Sequence, residues 1–306
     1  MAGGATSGAG STSDTYAPAR GWLLLPAWAT LTILVLAPVS LMLVYSFLTK
    51  EFRGGVIWEF SLAAYDQFFC DRGLFGDEPC AIEWTYIQIF WRSIWQAGAA
   101  TILSLMIGFP TAYFIATRPA NQRAMWVFLV TIPYWVNLLI RTVSMRFILR
   151  DNGPMNEFLL GMGVISEPLA IINTNLAVQL GLFYSYLPFM VLPIYAAVER
   201  YNFSLSEAAA DLYAPRWKIL WHVLLPAVKP GIIAGCILVF VPSLGSFLAP
   251  DLLGGAKTYM IGSLIEEQFK GNAGNWPFGA AAAMILLSLV LVILLILARQ
   301  QSRAAG

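Results

Sequence analysis

Apolar and polar stretches alternate along the 306 residues, with apolar runs at about 22–48, 93–116, 124–146, 174–198, 230–250 and 277–298. Each run reaches the ~20 residues that a helix needs to cross about 30 Å of hydrocarbon. The pattern predicts an all-α polytopic membrane protein with six transmembrane helices and no separate soluble catalytic domain. Residues 1–21 are rich in Gly, Ala, Ser and Thr, cannot bury enough apolar surface to fold, and read as a disordered tail. Residues 22–298 form one membrane domain and 299–306 a second tail. The run at 22–48 is too long for a signal-peptide core and reads as a retained first span.

One polar island, residues 199–230, lies between the fourth and fifth runs and carries helix signals of its own. Ser204-Leu205-Ser206-Glu207 has capping-box spacing, a serine oxygen for the first free amides and a glutamate three residues on that reaches back. A first helix then runs through Ala208, Ala209, Ala210, Asp211 and Leu212. Pro215 suits the first position of a second helix, in which Trp217, Leu220, Trp221 and Leu224 fall on one face and which Pro226 ends. A helix, turn and helix with an apolar edge fits a partner's groove.

Elsewhere the pattern is less eventful. Pro26, Pro38, Pro110, Pro133, Pro188, Pro193 and Pro242 fall inside spans and predict kinks. The long loop 50–92 holds Trp58, Phe60, Tyr65, Phe68, Phe69, Trp84 and Tyr86, read either as an interfacial belt with Trp91 and Trp95 or as a docking surface. Asn152-Gly153-Pro154 predicts a turn before a short outer helix over 155–162. Gly231 and Gly235 make a small-xxx-small pair, which serves internal packing or a subunit interface equally well.

Only 11% of the residues are charged, against about 25% in an average soluble domain. With the amino terminus inside, the inner segments hold nine basic residues (Arg20, Arg118, Arg123, Arg200, Arg216, Lys218, Lys229, Arg299, Arg303) against four acidic ones. The remainder has nine basic against thirteen acidic. This excess places both termini and the 199–230 loop in the cytoplasm, with Arg141, Arg146 and Arg150 running against the rule. Cys70 and Cys80 lie outside, as a disulfide or a free pair, and Cys236 is read as a small buried apolar residue.

Enzyme chemistry finds no constellation. The single histidine, His222, has no cysteine or metal-spaced carboxylates near it in sequence, so neither a zinc site nor a catalytic triad can be assembled. Gly254-Gly255-Ala256-Lys257-Thr258 fails the phosphate-loop spacing, and no nucleic-acid partner is expected. The middles of the spans carry no acidic residue, so candidates for a path are neutral or aromatic: Tyr134, Trp135, Asn137, Gln179, Tyr184, Tyr186, Ser243, Ser246 and Phe247, with Asp251 at an outer end. Such a path holds cargo weakly and predicts a conduit whose selectivity is supplied elsewhere.

Glu207-Ala208-Ala209 followed by Val223-x-Leu225-Pro226 resembles the EAA loop of ABC importer permeases, except that Tyr213 stands where that loop has glycine. IPYWVNLLIR (132–141), GPMNEFLLGMGV (153–164), LPFMVLPIY (187–195), PGIIAGCILVFVP (230–242), DLLGGAKTYMIG (251–262) and NWPFGAA (275–281) are similar to the first permease subunit of spermidine/putrescine importers. The resemblance covers 125–298 well and the first outer loop poorly. It implies the type I importer fold in a bacterial inner membrane, with a second permease, an ATPase dimer that binds the ATP, and an extracytoplasmic binding protein that delivers a polyamine. It further implies that Glu207, Ala208, Ala209, Asp211, Leu212 and Arg216 couple to the ATPase. Glu207 is left with two roles, helix cap and ATPase contact, and Asp251 with two, cation contact and loop cap. Rival classes are a related permease for another small solute, a self-sufficient secondary transporter and a membrane enzyme.

Overall fold

The computed structural model describes residues 19–51, 55–71, 81–82, 84–255, 258–270 and 274–305. Helix α1 (Ala19–Tyr45) leads into a segment with a hairpin of β1 (Leu48–Lys50) and β2 (Val56–Phe60), a turn of helix α2 (Ala63–Asp66), and the antiparallel pair β3 (Cys70–Asp71) and β4 (Ala81–Ile82). Then follow α3 (Trp84–Ala116), α4 (Ala120–Trp135), α5 (Leu138–Leu149), α6 (Pro154–Gly161), α7 (Asn175–Glu199), α8 (Ser204–Asp211), α9 (Arg216–Ile219), α10 (Leu225–Leu244), α11 (Ile261–Phe269) and α12 (Trp276–Ala305). Two π turns, Leu220–Leu224 and Pro250–Gly254, interrupt the α geometry. Most of the tail read at 1–21 lies outside the described residues, whereas the one read at 299–306 is helical through Ala305.

Five helical runs are long and apolar enough to cross a membrane, and a bent pair makes a sixth. That pair corrects the expected third span. The kink predicted at Pro133 within 124–146 is a full break, at which α4 and the segment that begins with α5 meet at 90°. Pro133 has no amide hydrogen to continue the ladder, Val136 and Asn137 are extended at ψ 137° and 138°, and the Asn137 side chain restarts the helix by accepting the Leu139 N–H at 2.8 Å.

Helix α7 packs on α3 and α10, which also meet each other. The buried stripe of α3 is small at nearly every step, Ser93, Ala97, Ala100, Ser104, Gly108 and Ala112, which lets backbones approach closely where lipid offers no hydrophobic drive. Gly231 and Gly235 are packing residues inside the chain. A Cβ on Gly231 would meet Ala197 and the Pro193 carbonyl, and one on Gly235 would stand 2.9 Å from the Met190 sulfur. Two apolar cores include this triple contact and its surroundings, one around Met190, Ile194 and Val228, the other around Leu182, Leu253 and Met260.

A third core gathers Phe68, Ile261, Leu264 and Phe278. Phe68 is buried against Phe278 with ring centres 4.6 Å apart, and Tyr86 and Phe90 meet it edge-on. The loop aromatics therefore divide. Phe68 and Tyr86 turn inward, the Tyr65 hydroxyl donates to Ser46 Oγ at 2.9 Å, and Trp58, Phe60, Phe69 and Trp84 stay exposed. Cys70 is disulfide-bonded, and Cys80 lies outside the described residues. Asn156 of α6 is fully buried and binds the Arg150, Asp151 and Leu169 carbonyls and the Leu169 amide, which anchors the short helix.

Candidate functional site

The polar island folds as two helices, with different punctuation from that predicted. Ser204 does not cap α8: Asn202 Oδ1 accepts the Ser204 N–H at 3.1 Å and its hydroxyl at 2.7 Å, and Glu207 makes no return bond to the cap. Asparagine is as good a cap as serine, and Asn202 lies two residues upstream. The helix ends in a Schellman turn. Tyr213 N–H donates to the Ala210 carbonyl at 2.9 Å and Ala214 N–H to the Ala209 carbonyl at 3.1 Å, the paired bonds of that motif. Tyr213 takes φ +57°, so it occupies the left-handed position usual for glycine.

Pro226 does not stop the second helix either. Residues from Arg216 to Leu244 form one continuous run. Proline would leave a carbonyl one turn back without its donor, and the chain widens into a π turn just before it, with Leu225 N–H donating to the Leu220 carbonyl. The expected apolar face is split between two environments. Leu224 is buried and Leu220 packs on the core, while Trp217 and Trp221 are exposed beside Leu212, which is 83% exposed. Glu207, Ala208, Asp211 and Arg216 are exposed and Ala209 half-buried. A cavity of 620 Å³ separates this unit from α3 and is lined by Phe109, Tyr113, Phe203, Ser206, Arg216 and Leu220. At the same end Arg123 reaches Glu199 at 3.4 Å and Tyr195 donates to that carboxylate at 2.7 Å, joining the start of α4 to the end of α7.

The path candidates do not all converge. Tyr134, Trp135 and Asn137 sit at the α4–α5 break. The Tyr134 ring meets Phe189 edge-on at 5.0 Å, Phe189 lies 6.4 Å from Tyr186, and the Tyr186 hydroxyl, beside Ser246, donates to the Pro242 carbonyl at 3.4 Å. Ser243 is wholly buried and donates to Val239 in its own helix, so it lines nothing. Tyr184 is partly exposed and outside this aromatic row; Gln179 is half-buried one to two turns nearer the start of α7; Phe247 follows α10 with its side chain partly exposed. Asp251 is exposed on the second π turn, near Lys270, whose ammonium pKa is raised chiefly by its hydrogen bond to Glu266, with Asp251 adding to the field.

Two members of this site have weak sequence signals. Phe189 looks like any apolar span residue. Arg141 registers only as a charge on the wrong side, yet it is buried and its guanidinium donates to the Tyr134, Val136 and Ser185 carbonyls at 3.1, 2.8 and 3.1 Å. No group of three or more His, Cys, Asp or Glu side chains able to hold a metal occurs among the described residues.

Comparison with known proteins places this arrangement. The chain is 39% identical over 254 residues, 83% of its length and 84% of the relative's, to the spermidine/putrescine transport system permease protein PotB of Haemophilus influenzae. It is 38% identical over 266 residues, 87% and 89% of the two chains, to the protein of the same name from Escherichia coli. Its fold matches a bacterial ABC transporter involved in the import of the acidic polysaccharide alginate, with TM-score 0.66 and 19% identity over 94% of this chain and 97% of the other. Residues 122–305 match the model of the binding-protein-dependent transport system inner membrane component. With its five apolar helical runs, broken sixth span and exposed helix–turn–helix, the chain belongs to that family of inner membrane transport components, and its fold is that of a type I ABC importer permease.

Proposed function

We propose that this chain is the first of two permease subunits of an ATP-driven importer that carries spermidine or putrescine across the bacterial inner membrane. An extracytoplasmic binding protein delivers the cargo, and an ABC ATPase dimer docks on residues 204–226. The observation that carries the reading is the 38–39% identity to polyamine permeases over 83–87% of the chain. The coupling role is supported by Leu212, Tyr213, Trp217 and Trp221, large side chains left exposed on a capped unit joined rigidly to a span. ATP belongs to the partner ATPase, and this chain contributes no catalytic residue. The excess of basic residues at the α8–α9 end favours a cytoplasmic location for both termini.

For the path, Tyr134, Trp135, Asn137, Tyr184, Ser246 and Phe247 present aromatic rings and neutral dipoles, with Asp251 at its outer end. Aromatic faces attract ammonium groups by about 0.5–2 kcal/mol each, enough to guide a polyamine and too little to trap it. Outer acidic groups draw cations only over about 8 Å at physiological salt.

Purification with bound partners, followed by reconstitution, tests the proposal. The expected result is a co-purifying ATPase and ATP-dependent uptake that unlabelled spermidine or putrescine competes away. Uptake without ATP refutes the coupling, and indifference to both amines refutes the cargo.

A further inference from the structure

Arg141 occupies the first turn of α5 and is 4% exposed in a chain whose spans are otherwise nearly free of charge. Its three carbonyl partners belong to three segments: the end of α4 at Tyr134, the extended link at Val136, and α7 at Ser185. The first two flank Trp135, so one guanidinium fixes the peptide on either side of a side chain that is 81% exposed. The third lies next to the carbonyl of Tyr184, which loses its helical donor to Pro188. The guanidinium also lies 5.6 Å from the centre of the Tyr134 ring. Its partners among the described residues are main-chain oxygens, and Nε is buried without one.

An apolar side chain buried in this broken span would enter the membrane at lower cost, so stability in lipid does not account for an arginine. A guanidinium spreads its donors over separate nitrogens of a rigid planar fork, here Nη1 to Ser185 and Nη2 to Tyr134 and Val136, whereas a lysine's three donors radiate from one nitrogen on a flexible stem and a hydrocarbon has none. We propose that Arg141 is a positioning residue for translocation: by tying both sides of the α4–α5 break to α7, it fixes the wall formed by Tyr134, Trp135, Tyr186 and Phe189 in the geometry that passes cargo. The inference rests on the transport reading given above.

The test uses the complete importer in proteoliposomes, with Arg141→Lys and Arg141→Met beside the wild type. Uptake per assembled complex is expected to fall about tenfold in Arg141→Lys, as displacement of a positioned group by an ångström can cost even more. The loaded binding protein needed for half-maximal uptake should stay within about twofold, because Arg141 is buried and offers no surface to a docking protein. Wild-type uptake in both variants overturns the proposal. So does a loss of uptake that only tracks a loss of assembled complex.

A second readout needs no cargo. In a Cys236→Ala, Trp135→Cys importer, adding Arg141→Lys should change the labelling rate with an impermeant thiol reagent by about fivefold or more. An unchanged rate overturns the positioning role. If the wild type imports no polyamine, the cargo reading fails, and the labelling rate still decides Arg141.

Discussion

Gly235 of α10 faces Met190 of α7 so closely that a Cβ on the glycine would stand 2.9 Å from the methionine sulfur and 3.1 Å from its carbonyl oxygen. Gly108 of α3 meets the same methionine from the other side, a Cβ there lying 2.9 Å from Met190 Cγ. One side chain thus packs between a glycine of α3 and a glycine of α10. Gly235→Ala should destabilise the detergent-purified protein by about 1–3 kcal/mol through overpacking, and Gly235→Val by more. Gly98→Ala on α3 meets open space and should be neutral or slightly stabilising, by up to about 1 kcal/mol. Thermal unfolding of the three variants checks the order.

The left-handed Tyr213 is expected to be costly. A side chain in that conformation costs roughly 1–2 kcal/mol relative to glycine, and at 96% exposure it recovers nothing inside this chain. Tyr213→Gly should therefore slow hydrogen exchange at Tyr213 and Ala214, whose amides close the turn, with transport retained. Tyr213→Val should speed it.

The cap of α8 gives a paired test. Asn202→Ala removes the acceptor for the Ser204 amide and should cost about 1 kcal/mol of local stability, read as faster exchange or proteolysis in residues 203–207. Ser204→Ala removes a hydroxyl that only donates to that same asparagine and should have a much smaller effect. The reverse order would restore the capping box suggested by the sequence.

For coupling, the combined change Glu207→Ala and Leu212→Ala removes an exposed charge and an exposed apolar contact without touching the core. The variant should fold normally, yet lose ATPase binding and uptake by about tenfold or more, since a few central contacts carry most of an interface. Unchanged uptake would exclude the coupling role of these residues.

The ion pair of Arg123 with Glu199 predicts a small effect. With side chains 31% and 43% exposed, the pair contributes roughly 0–1 kcal/mol, so Glu199→Gln should shift unfolding only slightly, and less at high salt.

The spans were readable because each apolar run has to satisfy its backbone internally while facing lipid, and both demands write themselves into composition. From 124 to 146 hydropathy is almost unbroken, so Pro133 announces a kink but neither its 90° size nor its extended residues, Val136 and Asn137, can be read from the pattern. Pro226 looks like a stop because proline usually is one, and a π turn cannot be anticipated from residue types. Asn202 and Ser204 both offer cap chemistry, and spacing to Glu207 favoured the wrong one. Ser243 and Ser246 are three residues apart on one chain segment, yet only Ser246 reaches Tyr186; helical phase near a terminus settles which.

The unbroken run from Arg216 to Leu244 gives the chain a mechanical element. At 1.5 Å per residue its 29 residues make a rod of about 43 Å, with Trp217 near one tip and Pro242, the acceptor of the Tyr186 hydroxyl, near the other. Rocking such a rod by some 5° about one end would carry the far tip through about 4 Å, more than the length of a hydrogen bond. Displacement at Trp217 and displacement beside Tyr186 are then two ends of a single lever.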